Sequence, residues 1–413
     1  MSQVFVAANQ TFVVTSAGSR LTGNPAYSGQ AISFGASGSG VFITLDFASG
    51  GTYGLAQGTI VEFIDNVGGS EFADAITGNA RGNILIGGGG NDNLMGLGGD
   101  DILLGGTGSN SLDGGSGFDT ANYSGASAGI TLNLAGGIVL RADGQDAVTS
   151  IERIIGTDFT DFLNGSAAAD QLEGGNGNDA LYGFGGNDTL LGGAGDDNVV
   201  TGTGNNVVDG GIGYDTIYYN ANTTAIVANL TAGIVSHDGE IDSISNVEVI
   251  FATAFDDVLI SGISTSVLYG ADGNDLLVAL GTNATLFGGA GDDELRSGAN
   301  ADWLDGGAGV DTVVYSAATA GVEVDLNGGA ASTNGVVDYL FGIENVTGSD
   351  FDDILFGNGS ANLLKGGLGA DALVGGQGND TLLGGAGDDQ LVGGQGSNVI
   401  DGGTGYNQLY FND

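Results

Sequence analysis

A chain of 413 residues with 50 Asp+Glu against 6 Lys+Arg has a formal net charge of −44, which makes nucleic acid and anionic membrane poor partners. It has 84 Gly, one Pro (Pro25) and no Cys, which excludes a disulfide framework and a thiolate metal site. So much charge of one sign would normally keep a chain disordered, yet 41% of the residues are apolar, enough to form a core. The two facts fit together if a cation neutralises the carboxylates as the core forms.

In chain order, the opening MSQVFVAANQTFVV is strand-like and lacks the basic n-region, long apolar run and small-residue cleavage site of an ordinary signal peptide. No apolar stretch approaches transmembrane length. An apolar strand (ITLDF at Ile43) and a Phe-anchored segment (GSEFADAIT at Gly69) follow. From Gly87 the chain reads in nines: GGGGNDNLM, GLGGDDILL, GGTGSNSLD, GGSGFDTAN. The same succession then returns. A strand (ITLNL at Ile130, VANL at Val227, VEVDL at Val322) leads to an acidic element (Ile151-Glu152, Val247-Glu248, Ile343-Glu344). Next come a Phe-anchored nonapeptide (GTDFTDFLN, ATAFDDVLI, GSDFDDILF) and a Gly-rich run, as in GGNGNDALY from Gly174 or GGLGADALV from Gly366.

The segments at Gly114, Gly210, Gly306 and Gly402 set a long period of 96 residues. ITLDF and GSEFADAIT precede their counterparts by 87, one nonapeptide less, so nine residues is the structural quantum. The organisation reads as an N-terminal strand segment over 1–22 and modules over 23–117, 118–213, 214–309 and 310–405. A last strand segment covers 406–413 and no linker separates the modules. A low-complexity tract without order would not hold register across the whole chain.

Within a nonapeptide, Gly falls at positions 1, 2 and 4, Asp or Asn at position 6 and an aliphatic residue at position 8. Gly permits positive φ and close backbone approach, so positions 1–6 are expected to form a tight turn with inward carbonyls. Positions 7–9 are expected to form a short strand with position 8 in the core: Leu94, Leu103, Leu112, Leu172, Leu181, Leu190, Leu295, Leu304, Leu373, Leu382 and Leu391. Carboxylates combined with backbone carbonyls make a calcium site; magnesium prefers a tighter octahedron and retained waters.

The pattern GGxGxD-x-aliphatic-x resembles the RTX, or hemolysin-type calcium-binding, repeat, over roughly residues 60–410. The resemblance implies an all-β fold, a parallel β-roll or β-helix solenoid of calcium-binding nonapeptides in tandem modules. Two nonapeptides would make one coil, with Ca²⁺ held between turns n and n+2 by position-6 Asp and turn carbonyls. Carried onto this chain, the Asp pairs are Asp74/Asp92, Asp101/Asp119, Asp161/Asp179, Asp170/Asp188, Asp179/Asp197 and Asp197/Asp215. The later ones are Asp257/Asp275, Asp275/Asp293, Asp293/Asp311, Asp353/Asp371 and Asp371/Asp389. Asp92/Asn110, Asp188/Asn206, Asp380/Asn398 and Asp389/Asn407 keep oxygens but lose charge, so weaker sites are expected there. Ser266 and Ala284 break the pattern in the third module, where the chain is expected to stack without metal on that side.

Other signals carry less. Gly125-Ala126-Ser127-Ala128-Gly129 fits a nucleophile elbow, but no helix pattern follows. The one histidine, His237, reads as lying in a loop beside Asp238. Asp143-Gly144, Asp238-Gly239 and Asn334-Gly335 read as tight turns, each followed by an acid (Asp146, Asp242, Asp338) that is a candidate for a further calcium site. Glu152, Glu248, Glu344 and Asp65 are read as either ligands or turn-stabilising acceptors, and Trp303 as packing rather than a sugar platform.

With the chain filled by repeats, the expected role is non-enzymatic: a secreted surface-layer, filament or biofilm-matrix protein that folds on extracellular Ca²⁺. The strand-like termini are read as edges for self-association. A carbohydrate-binding or accessory module of an extracellular enzyme system is the other reading, with cell-surface or matrix polysaccharide as its partner. The resemblance implies type I secretion, by association from a Gram-negative bacterium.

Overall fold

In a computed structural model, the described residues are 66–410 except 264, 281 and 282, together with short backbone strands before residue 66. Among them every regular element is a strand, and the protein is a parallel β-solenoid. The early strands Gln3–Val6, Arg20–Gly23 and Ile60–Glu62 pair in parallel. Asp65 and Phe411 lie outside the described residues. The chain divides into two compact units, Met1–Asp215 and Thr216–Asp413.

In each unit, strands pair with those one full coil, or eighteen residues, away. In the first, Ile76, Leu94 and Leu112 stand in register on one side, and Leu85 and Leu103 on the other. In the second, Leu355, Leu373, Leu391 and Leu409 form one such row, and Leu364, Leu382 and Ile400 another. Two nonapeptides therefore close one coil, as the resemblance implies. Position 8 points inward by the period-two alternation of a strand: Leu94, Leu181, Leu286 and Leu373 are fully buried. Each such leucine contributes about 1.5–3 kcal/mol by leaving water.

The strands are not uniform. Ala180–Tyr182 spans positions 7–9, as expected, but Gln171–Asn176 runs on through positions 1–3 of the next nonapeptide.

Three antiparallel hairpins interrupt the coils. Thr131–Asn133, Ile138–Arg141 and Gly144–Thr149 form the first; Val227–Asn229, Ile234–His237 and Glu240–Ser245 the second; Val322–Asp325, Ala330–Thr333 and Val336–Phe341 the third. After the first insertion, parallel pairing resumes with Leu112 opposite Val148, thirty-six residues on. Asp238-Gly239 and Asn334-Gly335 are the expected two-residue turns, all four residues having positive φ. The first hairpin differs from expectation: Arg141 pairs with Gly144, so its turn is Ala142-Asp143 and Gly144 already belongs to the strand.

Candidate calcium ladders

One coil turn shows how the site is built. In Gly174–Asp179, Gly175 and Gly177 have φ of 109° and 122°, a region that L side chains rarely adopt. Gly174 has an ordinary φ and is needed for a different reason. A Cβ there would overlap Oδ2 of Asp179 and the carbonyl oxygen of Gly192 on the next coil. Positions 2 and 4 thus bend the chain, while position 1 leaves room for a carboxylate that curls back over it.

That carboxylate is held from one side only. The backbone N–H of Asp161 donates to Oδ1 of Asp179 (2.7 Å), that of Asp179 to Asp197 (2.7 Å), and that of Asp197 to Asp215 (2.8 Å). The same bond joins Asp74 to Asp92, Asp101 to Asp119, Asp170 to Asp188, Asp257 to Asp275, Asp275 to Asp293, Asp293 to Asp311, Asp353 to Asp371 and Asp371 to Asp389. The structure therefore brings together every Asp pair that the sequence puts two turns apart. The other oxygen, Oδ2, is buried without a hydrogen-bond donor in Asp92, Asp101, Asp119, Asp179, Asp197, Asp275, Asp293, Asp311, Asp371, Asp380 and Asp389. A buried carboxylate oxygen left this way is costly unless a cation meets it.

Electrostatics point the same way. Burial, above all, pushes Asp101, Asp179, Asp275 and Asp371 up to about 7, against an opposing backbone N–H bond and with help from neighbouring carboxylates. Asp92 and Asp311 rise to about 6 for the same reasons. These acids are crowded, dehydrated and short of positive charge.

Not every position 6 is alike. Asp74, Asp161, Asp257 and Asp353, in the Phe-anchored nonapeptides, are also held by a Ser or Thr at position 2. Ser70, Thr157, Thr253 and Ser349 each donate a backbone N–H (2.6–2.8 Å) and a hydroxyl to the acid four residues on. At the Asn ends, Asn110, Asn206, Asn398 and Asn407 accept the ladder bond through Oδ1. In Asn110, Asn398 and Asn407 the amide nitrogen stands over the position-1 glycine, where Asp presents its second oxygen. Those three side chains offer a donor where a ligand is needed.

Several ladder members escaped the sequence reading. Asn83, Asp302 and Asn362 occupy position 6; Asn83 donates to Asp101, Asn362 to Asp380, and Asp302 accepts from Ala284. The period marked all three, but their turns lack the Gly pattern. Asp146 and Asp338, read as a separate site, instead continue the ladder past a hairpin, accepting from Asn110 and Asp302. Glu152 and Glu344 accept from Asp119 and Asp311. A second ladder runs through position 5, where Asn or Asp Oδ1 accepts the N–H one coil later: Asn91 from Ser109, Asn178 from Asp196, Asp256 from Asn274, Asp388 from Tyr406. The recurrent Asn-Asp dipeptide was its signal.

His237 is a correction. It ends a strand rather than lying in a loop, and is buried with Nε2 3.0 Å from Asp242 Oδ2 and Nδ1 2.9 Å from Asn222. The Tyr219 hydroxyl donates to the same Asp242 oxygen (2.9 Å), so the imidazole is packed into a polar cluster. Ser127 lines a cavity of about 250 Å³ whose lining holds Arg141 and Asp143 and no histidine.

Among the described residues no three acidic or imidazole groups converge on one point. A metal held here must therefore combine a carboxylate pair with backbone carbonyls. That donor set, all hard oxygen, suits Ca²⁺. The position-6 acids and the carbonyls of the position-1 glycines, such as Asp179 and Gly192, would hold it, and the ion would neutralise the ladder.

A family model described as the RTX calcium-binding nonapeptide repeat matches residues 68–103, 86–121, 155–190, 182–217, 251–283, 278–313, 347–382 and 374–409. The chain belongs to the RTX calcium-binding repeat family. No curated protein matches it. Between its matches the family model passes over three internal stretches of this RTX protein, 122–154, 218–250 and 314–346, and these contain the three hairpins.

The role of position 1 can be tested directly. Gly174→Ala is expected to take up one fewer calcium ion and to raise the calcium midpoint of folding several-fold. Gly359→Ala, with nothing within 4 Å of the added Cβ, should change neither. A calcium titration followed by circular dichroism reads both.

Proposed function

We propose that this RTX protein is a secreted, non-catalytic structural component of a cell surface or extracellular matrix. It leaves the cell unfolded by a type I route, folds on meeting extracellular calcium, and then self-associates. The observation that carries this reading is the row of buried carboxylate oxygens without a donor. Such a core is unfavourable where calcium is scarce and becomes favourable where calcium is millimolar. The chain's formal charge of −44 makes copies repel one another unless calcium is bound, so assembly too would wait for the ion.

The carbohydrate-binding alternative gains nothing from the aromatics that stack along the strands. Tyr218, Phe251, Tyr269 and Phe287 stack face to face with centroids 4.9, 4.1 and 4.7 Å apart, and Trp303 stacks on Phe341 at 4.4 Å. Ring faces spent on each other are not available to a sugar.

Sedimentation and electron microscopy across a calcium series test the proposal. Calcium-dependent oligomers or filaments are expected. A clean monomer at high protein concentration in 10 mM calcium, a concentration at which sites of ~0.1–1 mM Kd are nearly full, would remove the assembly part.

A further inference from the structure

One residue position recurs at the 96-residue period with three different side chains: Arg141, His237 and Thr333. Each stands at the end of a hairpin strand, next to a two-residue turn. Arg141 is nearly buried, its side chain 6% exposed, in a protein with few cations. Its guanidinium donates to the carbonyl oxygens of Gly106 and Gly108, which are positions 2 and 4 of the turn GGTGSN. It also donates to Oδ1 of Asp146 (3.2 Å), the acid that continues the position-6 ladder beyond Asn110, and lies 3.5 Å from Asp143. Turn carbonyls and a ladder carboxylate are the donor classes that would hold calcium elsewhere in this chain. Here they converge on a fixed organic cation.

The copy around Thr333 shows the same junction without that cation. Gly298, Asn300 and Asp338 take the places of Gly106, Gly108 and Asp146, and together with Thr333 they line a cavity of about 80 Å³. No Lys, Arg or His is among its lining residues. Asp302 and Asp338, both buried, share the hydroxyl of Ser297, at 3.4 and 2.8 Å, and the Tyr315 hydroxyl also meets Asp338, but no cationic side chain stands beside them in this cavity.

We propose that the Arg141 guanidinium stands in for a calcium ion, so that the coil spanning residues 105–146 closes without metal at this junction. The inference rests on the calcium reading of the ladders and specifies which part of the solenoid is exempt from it. Its consequence is local: the first hairpin is set by the covalent chain, independently of the ion concentration that governs the turns around it.

The test compares wild type, Arg141→Thr and Thr333→Arg by the number of calcium ions taken up on folding. That number is read from the dependence of the folding midpoint on calcium concentration and checked by native mass spectrometry. Arg141→Thr, which copies the Thr333 junction, should take up one more ion than wild type and need more calcium to fold. Thr333→Arg, whose guanidinium would face Asp338, should lower the calcium midpoint, and it reports even if Arg141→Thr does not fold. An unchanged ion count in folded Arg141→Thr, or an unchanged or raised midpoint in Thr333→Arg, overturns the stand-in role. A wild type that takes up no calcium would instead overturn the calcium reading itself, so the two failures are distinguishable.

Discussion

Chelating calcium at pH 7 is expected to abolish the β-sheet signal of this protein, and returning millimolar calcium to restore it. The magnitude follows from mass action. A site with a Kd of ~0.1–1 mM adds roughly 1.5–3 kcal/mol in 10 mM calcium, and on the order of ten such sites add about 20 kcal/mol. A typical domain is stable by only about 5–15 kcal/mol, so the ion term is larger than the whole net stability. The apolar rows remain in the metal-free chain, but closing them brings Asp179, Asp197 and their neighbours together with buried oxygens unmet. Far-UV circular dichroism in EDTA decides the matter; a β signal unchanged by chelation would show that the leucine rows suffice and that the carboxylates are bystanders.

Much of this was legible in the sequence because the repeat couples two periods. Alternation within positions 7–9 sends Leu181 and Leu190 inward, and the nine-residue quantum places Asp161 and Asp179 on adjacent coils. What spacing could not show is how one residue does two jobs. Gly174 and Gly175 look interchangeable in a Gly-Gly pair, yet one makes room for an oxygen and the other supplies a left-handed turn. Nor could spacing separate Asp161 from Asp179. They occupy the same position, but in the first Oδ2 accepts the Thr157 backbone N–H and Oδ1 its hydroxyl, whereas Oδ2 of Asp179 has no donor.

The hairpins were the least legible part. A regular nine-residue count predicts the next ladder acid eighteen residues beyond Asn110, but the chain inserts a hairpin and delivers Asp146 thirty-six residues on. Read as sequence, Asp146, Asp242 and Asp338 followed a turn and suggested a site of their own. Asp146 and Asp338 instead resume the ladder where the insertion ends. Arg141 and His237 drew no attention as a pair because the Asp-Gly dipeptides beside them, Asp143-Gly144 and Asp238-Gly239, are one residue out of step, although the turns themselves are 96 residues apart. The backbone pairing places both at the same point, the last strand residue before a two-residue turn.

Metal-free protein is expected to regain β structure on acidification, the reverse of ordinary acid denaturation. In the folded chain Asp101, Asp179, Asp275 and Asp371 titrate at about 7, chiefly because they are buried, while an unperturbed aspartate titrates near 3.8. The folded state therefore binds protons more tightly than the unfolded one, and protonation favours folding. This contribution is complete below about pH 4, where both states are protonated, and is lost as the pH rises through 6 to 7. A proton on Oδ2 does part of what calcium does: it removes the charge and gives the orphaned oxygen a way to donate. In saturating calcium the dependence runs the other way, because protons compete with the ion for the same oxygens and acidification drives it off. The two curves should converge in acid, where the ion is driven off, and separate as the pH rises, the EDTA curve falling while the calcium curve stays above it. Circular dichroism of dilute protein between pH 4 and 8 in each condition tests this. An EDTA sample no more structured at pH 4.5 than at pH 7.5 would mean that the ladder acids are not what opposes the metal-free fold.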